Sequence, residues 1–233
     1  MGIAFDATAS SNTATSQLSW THTPVGTPRG VSVLVVQNVG ATDEVTGVTY
    51  GGTALSEITG SPLLHTTGAE DSALYGYHLG ASVPTGAQVV NVNVNATGST
   101  KRAVSCTVTA DADTVVESTA TLDSGGVANP SVTLSLGPVR TFIFGALHSG
   151  QGAIGGIAAG ANYTELFEGD FGAQTAAWER RTAIAEGPND VIVTWTATSE
   201  EAGVIALAVR QSFGDPVTRL TIGRREHVFY GGL

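Results

Sequence analysis

Period-two alternation, broken at short intervals by turn residues, constrains this chain more than any other feature. In QVVNVNVNA, Val90, Val92 and Val94 share one face and Asn91, Asn93 and Asn95 the other, as in a strand with one wet side. RAVSCTVTA repeats the pattern, with Val104, Cys106 and Val108 opposed to Ser105, Thr107 and Thr109. The same rule turns Val132, Leu134 and Leu136 inward, and later Val191, Val193 and Trp195. VSVLVV at 31–36 and VIALAV at 204–209 are apolar on both faces, which predicts mid-sheet strands at the centre of the core. In VTYGGTAL, Gly51 and Gly52 can adopt the positive φ values of a two-residue hairpin loop. Further turns are expected at 84–86, 124–130 and 187–189. About fourteen strands at this spacing predict an all-β fold, an antiparallel two-sheet β-sandwich of jelly-roll or related type. EGDFGAQTAAWERR is the one candidate helix, but it lacks a convincing cap and reads equally as a loop leading into a strand.

Composition supports the same class. Charged residues make up 13% of the 233, and 30 glycines with abundant Val, Thr, Ala and Ser favour strands and turns. The net charge of −10 opposes a primary role in gripping nucleic acid, which needs a broad basic face. No stretch approaches eighteen apolar residues, and MGIAFDATASSN has neither the basic nor the apolar region of a signal peptide, so no membrane partner is expected. Cys106 is the single cysteine, which rules out an intramolecular disulfide and a cysteine zinc cluster.

Charge divides the chain at its end. Up to Val209 there are six basic and eighteen acidic residues, about −12 net, whereas the remainder carries about +2. The expected organisation is a sandwich over 1–210 and an extended C-terminal arm over 211–233. Burial of the arm's apolar side chains does not by itself offset the entropy of ordering some twenty residues, so backbone pairing to another strand is required. The arm is therefore expected to dock on a neighbouring subunit, or back on its own body. The residues assigned to this assembly interface are Arg219, Leu220, Ile222, Arg224, Arg225, Val228, Phe229 and Tyr230.

The order of segments AFDATAS, LSWTHTP, a long apolar strand, VTYGGTAL, ALYGYHL, TGAQVVNVNVN and GVIALAVR resembles the jelly-roll modules of virion structural proteins of tailed bacteriophages, over roughly residues 3 to 210. The resemblance implies a non-enzymatic structural protein on the virion surface, made in the host cytoplasm. A capsid decoration or minor capsid protein is the leading expectation and a minor tail protein the second. Its partners would be copies of itself and major capsid or tail proteins. Similar modules in adhesive proteins imply an alternative, a host-glycan-binding module, with Trp178 and Tyr75 as candidate sugar contacts; Trp178 reads as exposed beside Glu179, Arg180 and Arg181, whereas Tyr75 alternates with Tyr77 and Leu79 and reads more simply as a packing residue.

Chemistry-bearing patterns are weak. GQGAIGG has dinucleotide-loop spacing but no helical face after it, and no GxSxG elbow occurs. His22, His65, His78, His148 and His227 lack metal-ligand spacing, so no metal or other cofactor is expected. Asp111 with Asp113, and Glu70 with Asp71, are acidic pairs that read as solvated turns before they read as calcium ligands.

Overall fold

A computed structural model describes residues 2–38, 42–67, 71–150, 156–171, 174–182, 189–197 and 200–212. Among them are eighteen strands and no helix, and every strand pair is antiparallel. They form four sheets where two were expected.

The first half of the chain builds two sheets. Its inner sheet runs β1 (Ala4–Ser10), β10 (Thr100–Thr109), β3 (Gly30–Asn38), β8 (Ser72–Leu79), β6 (Ser56–Glu57), with β7 (Leu63–His65) also paired to β8. Its outer sheet runs β2 (Leu18–His22), β9 (Gln88–Val94), β4 (Val45–Tyr50), β5 (Thr53–Ala54). The second half repeats this plan. Its inner sheet runs β11 (Thr114–Val127), β18 (Glu200–Gln211), β13 (Thr141–Ser149), β16 (Thr175–Thr182), β15 (Thr164–Asp170). Its outer sheet runs β12 (Ser131–Leu136), β17 (Asn189–Thr196), β14 (Ala158–Ala159).

Three apolar cores hold four layers together. One lies between the first outer and inner sheets and contains Val31, Val33, Val35, Tyr50, Tyr75 and Val92. The second joins the two inner sheets through Leu34, Val36, Leu74, Phe144, Trp178 and Leu207. The third fills the space between the second inner and outer sheets with Leu134, Ile143, Val193, Trp195 and Val204. This explains the segments that are apolar on both faces. β3 sends Val33 and Val35 one way and Leu34 and Val36 the other, into two different cores, and β18 divides Val204 and Ala206 from Ile205 and Leu207 likewise. Both strands are also mid-sheet, as their sequence predicts.

The candidate helix is a hairpin. Glu168 pairs with Ala177 and Asp170 with Thr175, and the turn closes with Phe171 N donating to Gln174 O at 2.8 Å. Its small alanines suit a strand pressed between two layers: Ala176 packs into the central core and Ala177 into the outer one. The Gly51–Gly52 hairpin forms as expected, with φ of 56° and 81° and Tyr50 paired to Thr53.

Candidate functional site

The two inner sheets stack with the edges β6 and β11 on the same side, and a cleft of about 520 Å³ opens in the seam. Its walls are 56–59, 78–81 and 114–119. β11 is an edge strand fourteen residues long, and among the described residues β18 is its only strand partner. Every second residue of such a strand aims its backbone N–H and C=O away from the sheet, here towards the cleft. Ile58, Leu79 and Val116 supply apolar lining, and Glu57 and Glu117 are its acidic members, with no lysine or arginine among the lining residues. Glu117 sits at a bulge in β11. Its Oε1 accepts from Gly137 N at 2.9 Å and lies 3.7 Å from Arg210 Nε, while its buried Oε2 has no hydrogen-bond donor.

His78 stands at the inner wall of the cleft. Thr114 Oγ1 donates to Arg29 O at 2.9 Å, so its contact with His78 Nε2 at 3.2 Å is an acceptance from an N–H. Nδ1 is then the acceptor of the Ser32 hydroxyl, 3.0 Å away. Both ring nitrogens are satisfied in the neutral form, in keeping with burial that lowers the His78 pKa to about 4. One end of the cleft is sealed. Thr114 N donates to Gly80 O at 2.7 Å, and a Cβ on Gly80 would stand 1.8 Å from Thr114 O. At the far end Gly60, φ 86°, brings the chain beside the Thr121 methyl.

Between β1, β2 and β10 a buried polar network is consumed in pairing. Ser105 Oγ lies 2.7 Å from His22 Nδ1, and His22 Nε2 lies 3.0 Å from Thr107 Oγ1, which donates to Asp6. The order resembles a nucleophile, base and orienting acid. Ser105, however, is fully buried and also accepts from Trp20 Nε1, so no substrate carbonyl can approach it. Lys101, the only lysine, is fully buried with its Nζ 2.5 Å from Glu44 Oε2. Burial opposes the Glu44 charge, but hydrogen bonds from Lys101 and Ser99 outweigh it and hold the carboxyl below its ordinary range.

At one end of the central core a polar row replaces the apolar one. Asn38, Ser72 and His65 come from one inner sheet, and Asp123, His148 and Gln174 from the other or its turn. His65 Nδ1 is 2.5 Å from Asp123 Oδ1, and His148 Nε2 is 3.1 Å from Gln174 Oε1. Burial lowers the His148 pKa to about 4, against the pull of Gln174 and Glu201. Glu179, on the other face of the second inner sheet, is buried with a carboxyl raised to about 8, by burial first and by the charge of Glu165 second, although Gly160 N donates to it.

The exposed reading of Trp178 is corrected, and the packing reading of Tyr75 holds. Trp178 is fully buried, with its indole N–H donated to Leu34 O at 3.2 Å across the central core. Its neighbours look like surface residues in sequence only: the Arg180 guanidinium lies on Phe5, 3.8 Å from the ring centroid, and Glu179 is buried. Tyr75 is fully buried as well, its hydroxyl held by Gln37, Thr42 O and Glu44 N. Neither ring offers a face to a sugar. A second groove, lined by Asp43, Glu57, Asn93, Asn95 and Tyr77, adds no stacking platform, because Tyr77 is buried.

Other sequence candidates are dispersed. Among the described residues no group of three or more His, Cys, Asp or Glu side chains is placed to hold a metal ion, and this includes Asp111 and Asp113. Glu70, His227, most of the glycine loop (151–155) and all eight arm residues, Arg219, Leu220, Ile222, Arg224, Arg225, Val228, Phe229 and Tyr230, lie outside the described residues. Sequence reasoning missed the seam cleft and the buried ion pair. A lone lysine in a strand that otherwise alternates cleanly was the available signal for the latter. No helix among the described residues is long and apolar enough to cross a membrane. Compared with models of protein families, with curated proteins and with solved structures, the chain matches none.

Proposed function

We propose that this chain is a non-enzymatic structural subunit of a phage particle, a capsid decoration or minor capsid protein, whose body over 1–210 is two jelly rolls stacked back to back. The observation that carries this reading is the strand order. In the first half β1-β10-β3-β8 faces β2-β9-β4-β5, the interleaving produced when one long hairpin is rolled into two sheets. The second half repeats it as β11-β18-β13-β16 facing β12-β17-β14. A continuous core between the inner sheets makes one stiff block of the two rolls, as a shell component requires. Saturation of the His22, Ser105 and Asp6 network supports a structural role for those groups. The glycan-binding alternative loses its two aromatic contacts to burial.

The test is quantitative mass spectrometry of gradient-purified particles from a lysate that contains the chain. A fixed number of copies per particle, with antibody label on the head, is the expected result. Label on the tail would favour the minor tail reading. Absence from particles that carry their full set of other structural proteins would refute the proposal.

A further inference from the structure

We infer that the seam cleft between β6 and β11 receives a strand from the C-terminal arm of a second copy of this chain, the segment 217–222, added to the free edge of β11. The inference rests on the assembly reading above and names the surface through which subunits join.

Four observations support it. The open stretch of β11, 115–119, is about 17 Å long at 3.3–3.4 Å per residue, room for a five- or six-residue strand. VTRLTI, bounded by Pro216 and Gly223, is a segment of that length with strand-forming composition and punctuation. Paired along β11, it would place Thr218, Leu220 and Ile222 on one face and Val217, Arg219 and Thr221 on the other, which suits a site with Ile58, Leu79 and Val116 on its walls. Charge agrees: Glu57 lines the cleft and no lysine or arginine does, whereas the arm carries Arg219, Arg224 and Arg225.

The donor is a second copy because of where the chain leaves its own body. β18 ends with Gln211 beside Thr114, and Ser212 N donates to Asp113 O at 2.7 Å. That is the end of the cleft plugged by the bond between Thr114 N and Gly80 O. An arm entering its own cleft has to climb over this plug, whereas a neighbour's arm enters from the open side. The residues beyond 212 reach up to about 70 Å when extended, ample for a crossing between subunits.

Cysteine cross-linking on the full chain separates the outcomes. Ser118→Cys is prepared as one variant and Leu220→Cys as another, with Thr221→Cys as a second arm position should Leu220→Cys fold poorly. The native thiol of Cys106 does not interfere, since it is buried and raised to about 12. On mild oxidation of the mixed single variants, the mixed disulfide dimer should exceed by about tenfold that formed with Ser135→Cys on the exposed face of β12, because docking raises the effective concentration at one site only. A yield equal to that control overturns the inference. So does a double variant, Ser118→Cys with Leu220→Cys, that links only within single chains at every concentration. If the cross-link fails while the chain is still found in particles, the cleft assignment falls and the assembly reading stands; absence from particles removes the reading itself.

Discussion

Glu179 and the histidines at positions 22, 78 and 148 give this protein opposing pH dependences, whose windows overlap between about 4.5 and 6.5. The three imidazoles have folded pKa values of about 4 because burial disfavours their charged forms. An unfolded histidine titrates near 6.5, so between about 6.5 and 4 the unfolded chain takes up protons that the folded chain refuses, and stability falls as pH falls through that window. Glu179 does the reverse. Its carboxyl ionises near 4.5 when unfolded and at about 8 when folded, so stability falls as pH rises from about 4.5 to 8. Glu179→Gln, which keeps an acceptor for Gly160 N, should therefore stabilise the protein at pH 8 by on the order of 2–4 kcal/mol and have little effect near pH 4.5. Urea titrations at the two pH values measure this, and an equal effect at both would contradict it. Replacing His148 by Gln should flatten the acid limb between pH 6.5 and 4 in the same titrations. At the Lys101 and Glu44 pair, Glu44→Gln leaves a buried ammonium without its counter-charge and should cost about 3–5 kcal/mol. The double variant Lys101→Met with Glu44→Leu should recover most of that loss, and a double variant no more stable than Glu44→Gln would show that packing rather than charge is at stake.

At the scale of the element, the strands were legible because each carries its own period. Val90 and Val92 point to a core and Asn91 and Asn93 away from it, and no tertiary information is needed to see this. Two-faced strands were legible as central but not as shared. VSVLVV reads identically whether its second face meets a helix, a sheet of another domain or, as here, the second half of the same chain. Trp178 reads as exposed in the sequence because its charged neighbours suggest a wet face. Arg180 covers Phe5 and Arg102 covers Phe167, each cation within 4.0 Å of a ring centroid, so guanidinium groups cap the ends of a core where the sequence suggests a wet face. Glycines carry the close approaches between layers. A Cβ on Gly145 of β13 would stand 2.9 Å from the Trp195 ring, which lies across it. Gly145→Val should lift β17 off the inner sheet at a cost of about 3 kcal/mol, with a red shift in tryptophan emission. An unchanged spectrum with undiminished stability would contradict that packing.

At the scale of the whole molecule, three cores in series bind four sheets, and both inner sheets are buried on both faces. Neither half can keep its inner face out of water without the other, so heat should unfold the chain in one transition, with near- and far-ultraviolet circular dichroism coinciding. Two separated transitions would contradict this coupling. The duplication was not legible, because it repeats a strand order and not a residue pattern: β3 and β13 occupy the same place with GVSVLVVQN and TFIFGALHS. The cleft was not legible either, since its walls at 56–59 and 114–119 meet only when one sandwich is laid on the other. The central claim is that stiff double sandwiches join one another at the edge of β11. Hydrogen–deuterium exchange of the full chain at increasing protein concentration tests it most directly. Amides of 115–119 should gain protection as concentration rises, while those of the paired strands β3 and β13 stay unchanged. Exchange at 115–119 that is independent of concentration, in a chain that does self-associate, would contradict it.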